Sequence, residues 1–143
     1  YYLDLVAELD KQVKEHQTRF AQPVALHAAL HAACRHLAGV GVEAHMRRIQ
    51  VQMGTIEAFL GSLQVLPLLE ERHRSNVAVN FRLPAGIDYP SFAQRMEAAG
   101  YYLLYGIPGD STHFQVSTIG DLSNEEVGGL CHALERVLSN PRH

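Results

Sequence analysis

Apolar residues recur along this chain with two different periods, and the change from one to the other organises it. Over residues 2–16, Leu3, Val6, Leu9 and Val13 lie three or four positions apart, which gathers them on one side of a helix. Asp4, Glu8, Asp10, Lys11 and Lys14 charge the other side. Arg19-Phe20-Ala21-Gln22-Pro23 breaks the pattern, because proline keeps its predecessor extended and suits a helix start. A helix rich in Ala and Leu is predicted over 23–37, closed by Gly39 and Gly41. A longer one is predicted over 42–63. Its apolar positions are Val42, Met46, Ile49, Met53, Ile56, Leu60 and Leu63, alternating steps of four and three along one seam. A coiled coil uses the same spacing, but strand-like sequence follows at once, so the seam is expected to lie on a sheet.

The period then drops to two. Residues 65–69 form a short apolar run with Pro67 inside it, which suits an edge strand. Residues 70–75 read as a charged turn. Val77, Val79, Phe81 and Leu83 alternate with Ala78, Asn80 and Arg82, as in a half-buried strand. Asp88 is placed to cap a helix entered through Tyr89 and Pro90, with Phe92 and Met96 inward and Gly100 closing it. A strand is predicted over 101–105 and a loop over 106–110. Phe114, Val116 and Thr118 alternate with His113, Gln115 and Ser117 as another strand. Ser123 and Glu126 have capping-box spacing, and Val127, Leu130, Cys131, Leu134, Val137 and Leu138 continue as a helical stripe up to Pro141. The order predicts an α/β (α+β) fold in two layers: a mostly antiparallel sheet of three to four strands covered by helices, preceded by two long helices.

Composition narrows the function classes. The 143 residues suit a single domain spanning 1–143. A net charge of -3 argues against nucleic acid as a partner, and no apolar run is long enough for a membrane span. Cys34 and Cys131 sit among apolar neighbours and are expected to be buried free thiols in a reducing, cytoplasmic setting. The apolar start at Tyr1-Tyr2-Leu3 reads as a chain entered partway through.

Several side chains invite chemistry. His27 and His31 are four apart, a spacing zinc ligands use, but Arg35 continues that face and no metal site is expected. Asp110-Ser111-Thr112-His113 contains the residue types of a catalytic triad, yet triads are defined in space; a polar loop is the expectation. Gly106-Ile107-Pro108-Gly109 is too short and constrained to cradle a phosphate.

The second half resembles a known family. Phe81-Arg82-Leu83-Pro84, Gly86-Ile87-Asp88-Tyr89, Gly100-Tyr101, Tyr105-Gly106-Ile107-Pro108-Gly109 and Phe114-Gln115-Val116-Ser117-Thr118-Ile119-Gly120-Asp121 resemble the C-terminal small domain of class V, fold-type I pyridoxal-phosphate aminotransferases. They are most similar to 2-aminoethylphosphonate–pyruvate aminotransferases and, more distantly, to alanine–glyoxylate aminotransferases. Tyr2-Leu3-Asp4-Leu5 and Arg19-Phe20-Ala21-Gln22-Pro23 extend the resemblance collinearly to the N-terminal half.

The resemblance implies a homodimeric parent that moves an amino group between an amino donor and a small 2-oxo acid. A missing large domain would hold pyridoxal 5'-phosphate and its Schiff-base lysine, and residues 1–22 would connect to it. No catalytic residue is then expected in this chain, which alone would be inactive and carry no cofactor. Lys11 and Lys14, its two lysines, read as solvated helix charges. Gln115, Arg19 and Tyr105 are the candidate substrate-binding residues. Gln115 occupies the position of the family's carboxylate-binding arginine; an amide donates hydrogen bonds but brings no charge. Ala21 and Val24 stand where the family tends to carry threonines. These departures support an alternative, a degenerate non-catalytic domain serving dimerisation or regulation. A small interaction domain sharing only the architecture is a third reading.

Overall fold

The computed structural model describes residues 3–102 and 109–139 and falls into two compact units, Tyr1–Val42 and Glu43–His143. In the first, α1 (Leu5–Glu15) starts at Asp4, whose Oδ1 accepts the Ala7 N–H at 3.0 Å. Lys11–Glu15 and Lys14–Asp10 pairs run along its surface. α2 (Val24–Val40) runs on through Gly39, where an end was expected, and stops at Gly41. An interior glycine weakens a helix by about 1 kcal/mol without forbidding it, whereas Gly41 adopts φ 88°, which ends the helical path. No residue of α1 or α2 is buried. Cys34 is therefore exposed, contrary to the sequence expectation, and only Cys131 is buried. Helical spacing shows which residues share a face, but not whether another element covers it.

The second unit holds the core. α3 (Val42–Ser62) buries Ile49, Met53, Ile56 and Leu60, while Val42 and Met46 at its start stay largely exposed. Its seam is thus a core seam only in its second half. A 3-10 turn at Glu71–His73 follows, tied to α3 by the half-buried Arg74–Glu57 pair at 2.9 Å. β1 (Ala78–Arg82) pairs antiparallel with β2 (His113–Ser117), with Val79 opposite Val116 and Phe81 opposite Phe114. The expected edge strand at 65–69 is a single bridge, Pro67 to Phe81. The Leu68 N–H donates to the Asn80 carbonyl and the Arg82 N–H to the Leu66 carbonyl, so this pairing asks no N–H of Pro67. The two strands described are fewer than the three to four expected. Tyr101 and Tyr102 lie in no strand, and the rest of the 101–105 expectation falls outside the described residues.

α4 (Tyr89–Ala98) is capped by Asp88, whose Oδ1 accepts the Ser91 N–H, and Gly100 follows it at φ 89°. α5 (Asn124–Ser139) carries the expected capping box: Ser123 N–H and Oγ both meet Glu126 Oε2, and the Glu126 N–H donates to Ser123 Oγ. Helices and sheet close on an aromatic centre. Phe114 stacks on Phe81 with centroids 5.7 Å apart and meets Phe92 at 4.6 Å, and all three are fully buried. Among the described residues no helix is long and apolar enough to cross a membrane.

Candidate functional site

The site is built on the sheet face opposite that aromatic centre. Phe81, Val79, Phe114 and Val116 point inward, so strand alternation puts Ala78, Asn80 and Arg82 with His113, Gln115 and Ser117 on the other face. Thr118 N–H donates to Val77 O and Leu83 N–H to Thr112 O. Those bonds bracket the ladder, so Asn80–Gln115 and Arg82–His113 fall at the alternate, non-hydrogen-bonded pairs. There Cα atoms approach to about 4.5 Å and side chains lie closest. Two amides thus stand side by side, with a guanidinium on the next pair.

Gln115 and Asn80 are half-buried and Arg82 is exposed. Asn80 Oδ1 is out of solvent and meets no donor among the described residues. His113 is buried, its Nδ1 3.3 Å from Asp110 Oδ2. Thr112 donates to Asp110 through both its N–H (2.8 Å) and its hydroxyl (2.6 Å). Those two bonds, with the His113 ring, hold the Asp110 carboxyl below its usual range. Residues 110–112 form the polar loop expected, whereas His113 opens β2 and is buried.

Gln115 also lines a cleft of about 300 Å³ floored by Val116, Leu122, Val127 and Leu130 and rimmed by Tyr101, Tyr102, Ser117 and Glu126. Hydrogen bonds from Ser123 lower the Glu126 pKa, so the rim carries negative charge at neutral pH. Tyr101 reaches across to α5, its hydroxyl resting where a side chain on Gly129 would stand. Arg48 and Gln52 of α3 hold the loop that leads into α5. Arg48 Nη1 bonds Asp121 Oδ1 at 2.6 Å and the Leu122 carbonyl, which also accepts from Gln52 Nε2 at 2.8 Å.

The other sequence candidates fall elsewhere. Arg19 belongs to the first unit. Its backbone N–H donates to Glu8 Oε2 (3.1 Å), its Nη1 meets the Asp4 carbonyl, and its guanidinium lies over the Phe20 ring. These contacts brace the start of α1. The Glu8 carboxyl is lowered first by its bond from Gln12 and further by Arg19. Tyr105 lies outside the described residues. His27 and His31 are exposed on α2. Asn80, Arg82, Arg48 and Gln52 were not singled out from the sequence. The first two had a visible signal, polar residues at the alternate positions of a strand, but their cross-strand partners depend on a register that only the fold sets.

Pyridoxal phosphate requires a lysine amine for its covalent anchor. The two lysines here, Lys11 and Lys14, both pair with carboxylates along α1.

No family model matches the chain. It is 26% identical over 130 residues to a 2-aminoethylphosphonate–pyruvate transaminase of Vibrio vulnificus, covering 89% of this chain and 35% of that protein. A transaminase of the same name from Lysinibacillus sphaericus is 25% identical over 138 residues, covering 95% and 38%. One from Aeromonas hydrophila is 30% identical over 119 residues, covering 81% and 31%. The chain therefore spans about a third of the length of the curated relatives it matches. Among solved structures, alanine–glyoxylate aminotransferase from Nostoc sp. superposes with TM-score 0.86 at 23% identity, over 96% of this chain and 37% of that one. The aspartate aminotransferase of subgroup IV from Thermus thermophilus gives 0.84 at 23%, over 99% and 40%. The fold is that of part of a class V aminotransferase, and the resemblance read from the sequence holds along nearly the whole chain.

Proposed function

We propose that this chain is the C-terminal small-domain portion of a pyridoxal-phosphate-dependent aminotransferase that passes an amino group between an amino donor and a small 2-oxo acid. The observation that carries this reading is collinear similarity over 95% of the chain to a transaminase of which it covers 38%. The remaining length of such a protein is where the cofactor lysine belongs in this reading, with residues 1–22 as the connecting segment. The parent works as a cytoplasmic homodimer, and the chain alone is inactive.

When bound, the cofactor withdraws electrons from the substrate carbon; the protein orients the substrate and shapes its surroundings. The part this chain plays is recognition. Gln115 and Asn80 present amides on the sheet face opposite the aromatic centre, and Arg19 shapes the entry to α1. The degenerate reading draws on Gln115, Ala21 and Val24, which replace an arginine and two threonines of the family pattern. Full-length protein mixed with pyridoxal phosphate separates the two. The aminotransferase reading expects a visible absorbance band and conversion of an amino acid and a 2-oxo acid into their counterparts. The degenerate reading expects neither.

A further inference from the structure

The cleft between β2 and α5 joins an apolar floor to a charged rim. It takes up about 300 Å³, at the lower end of the range for small-molecule pockets. Val116, Val127 and Leu130 on its floor are all buried. Among the described residues that line it, Glu126 alone carries a charge. The Ser123 N–H and hydroxyl both donate to Glu126 Oε2, and among the described residues no hydrogen bond reaches Oε1. Those bonds, the backbone one foremost, keep the carboxyl ionised at neutral pH. Arg48 reaches Leu122 on the same wall, but Asp121 and the Leu122 carbonyl hold its guanidinium.

Two tyrosines complete the rim. Tyr101 rests its hydroxyl over Gly129, and Tyr102 is exposed; aromatic faces attract a cation. These features select a ligand by elimination. An anion entering the cleft meets the Glu126 carboxylate and no cation to balance it. A neutral apolar molecule fits the floor but leaves the rim charge unused. A bare ammonium ion covers none of the floor, and burial of apolar surface supplies most of the gain open to a small ligand. We infer that this cleft binds a small hydrophobic amine carrying no acidic group, its apolar body on Val116, Val127 and Leu130 and its ammonium at the rim with Glu126 and the tyrosines. The inference involves neither the cofactor nor amino transfer, and so goes beyond the proposed function.

The test is a titration of this chain, free of cofactor, followed by proton–nitrogen NMR. The probes are 2-phenylethylamine, 2-phenylethanol with the same body and no charge, 3-phenylpropionate with the opposite charge, and methylamine with no body. The expected result is saturable shifts with phenylethylamine, centred on the backbone amides of Gln115, Val116, Val127 and Leu130. Phenylethanol is expected to bind at least three-fold more weakly and phenylpropionate at least ten-fold, and methylamine not to saturate. Glu126→Gln keeps a capping box, since glutamine also serves there, and is expected to bring the amine down to the affinity of the alcohol. Raising the salt is expected to weaken the amine and leave the alcohol unchanged, which tests the charge in the unaltered chain should the variant not fold. No saturable binding of the amine, an alcohol or carboxylate that binds as tightly, shifts centred elsewhere, a folded Glu126→Gln variant that binds as before, or an amine affinity indifferent to salt overturns the inference. None of these outcomes bears on the proposed function, whose test is uptake of pyridoxal phosphate by the full-length protein.

Discussion

Two adjacent glycines in α5 face opposite constraints. Nothing lies within 4 Å of where a Gly128 side chain would sit, whereas the Tyr101 hydroxyl occupies that place at Gly129. Replacing an interior helix glycine by alanine gains about 0.5–1 kcal/mol where there is room. Gly128→Ala is therefore expected to raise the stability by about that amount. Gly129→Ala is expected to lower it, because Tyr101 packs against the core and must swing out. Chemical denaturation checks both. Recovery of the Gly129→Ala loss in a Tyr101→Phe background identifies the hydroxyl as the cause. Phe114 sits at the centre of the aromatic core, its ring meeting both Phe81 and Phe92; Phe114→Ala is expected to cost about 3–5 kcal/mol, read from the same denaturation curves. The cysteines separate as sharply. A thiol reagent is expected to label exposed Cys34 quickly. It should spare Cys131 until the protein unfolds, because burial both shields that thiol and raises its pKa.

At the scale of elements, the capping box that starts α5 has a pH signature. Ser123 bonds hold the Glu126 pKa below its ordinary value. A carboxyl lowered on folding stabilises the native state above its unfolded pKa, and that contribution fades as pH falls through the folded pKa. Acid is therefore expected to loosen the α5 N-terminus. Ser123→Ala keeps the backbone N–H that lowers this pKa most and removes only the hydroxyl, so it is expected to move the Glu126 titration part of the way upward, measured by carboxyl NMR; an unmoved titration contradicts the hydroxyl's share. This box was legible in the sequence because it depends on residues three apart. The Asp88 cap, the α3 seam from Ile49 onward and the alternation of both strands were legible for the same reason. What local pattern does not encode is which partner arrives. Gly39 did not end α2, since a glycine stops a helix only where the path needs positive φ. Cys34 is exposed because α2 buries none of its residues. Pairing of Asn80 with Gln115, which creates the polar row, joins residues 35 positions apart.

For the molecule as a whole, the two units differ in what they bury. The second has a closed aromatic core, whereas α1 and α2 bury nothing of themselves and expose Leu5, Leu9, Leu26 and Leu30. Uncovered apolar helix faces of this kind often serve as interaction surfaces, and the proposed function assigns this one to the rest of the parent protein. The match covers about a third of the relatives' length, and the proposed function assigns the covalent cofactor chemistry to the remainder. The direct test is to load the full-length protein with pyridoxal phosphate, fix the attachment with borohydride and map the labelled peptide. The account predicts a single labelled lysine outside these 143 residues. A label on Lys11 or Lys14, or no label at all, contradicts it.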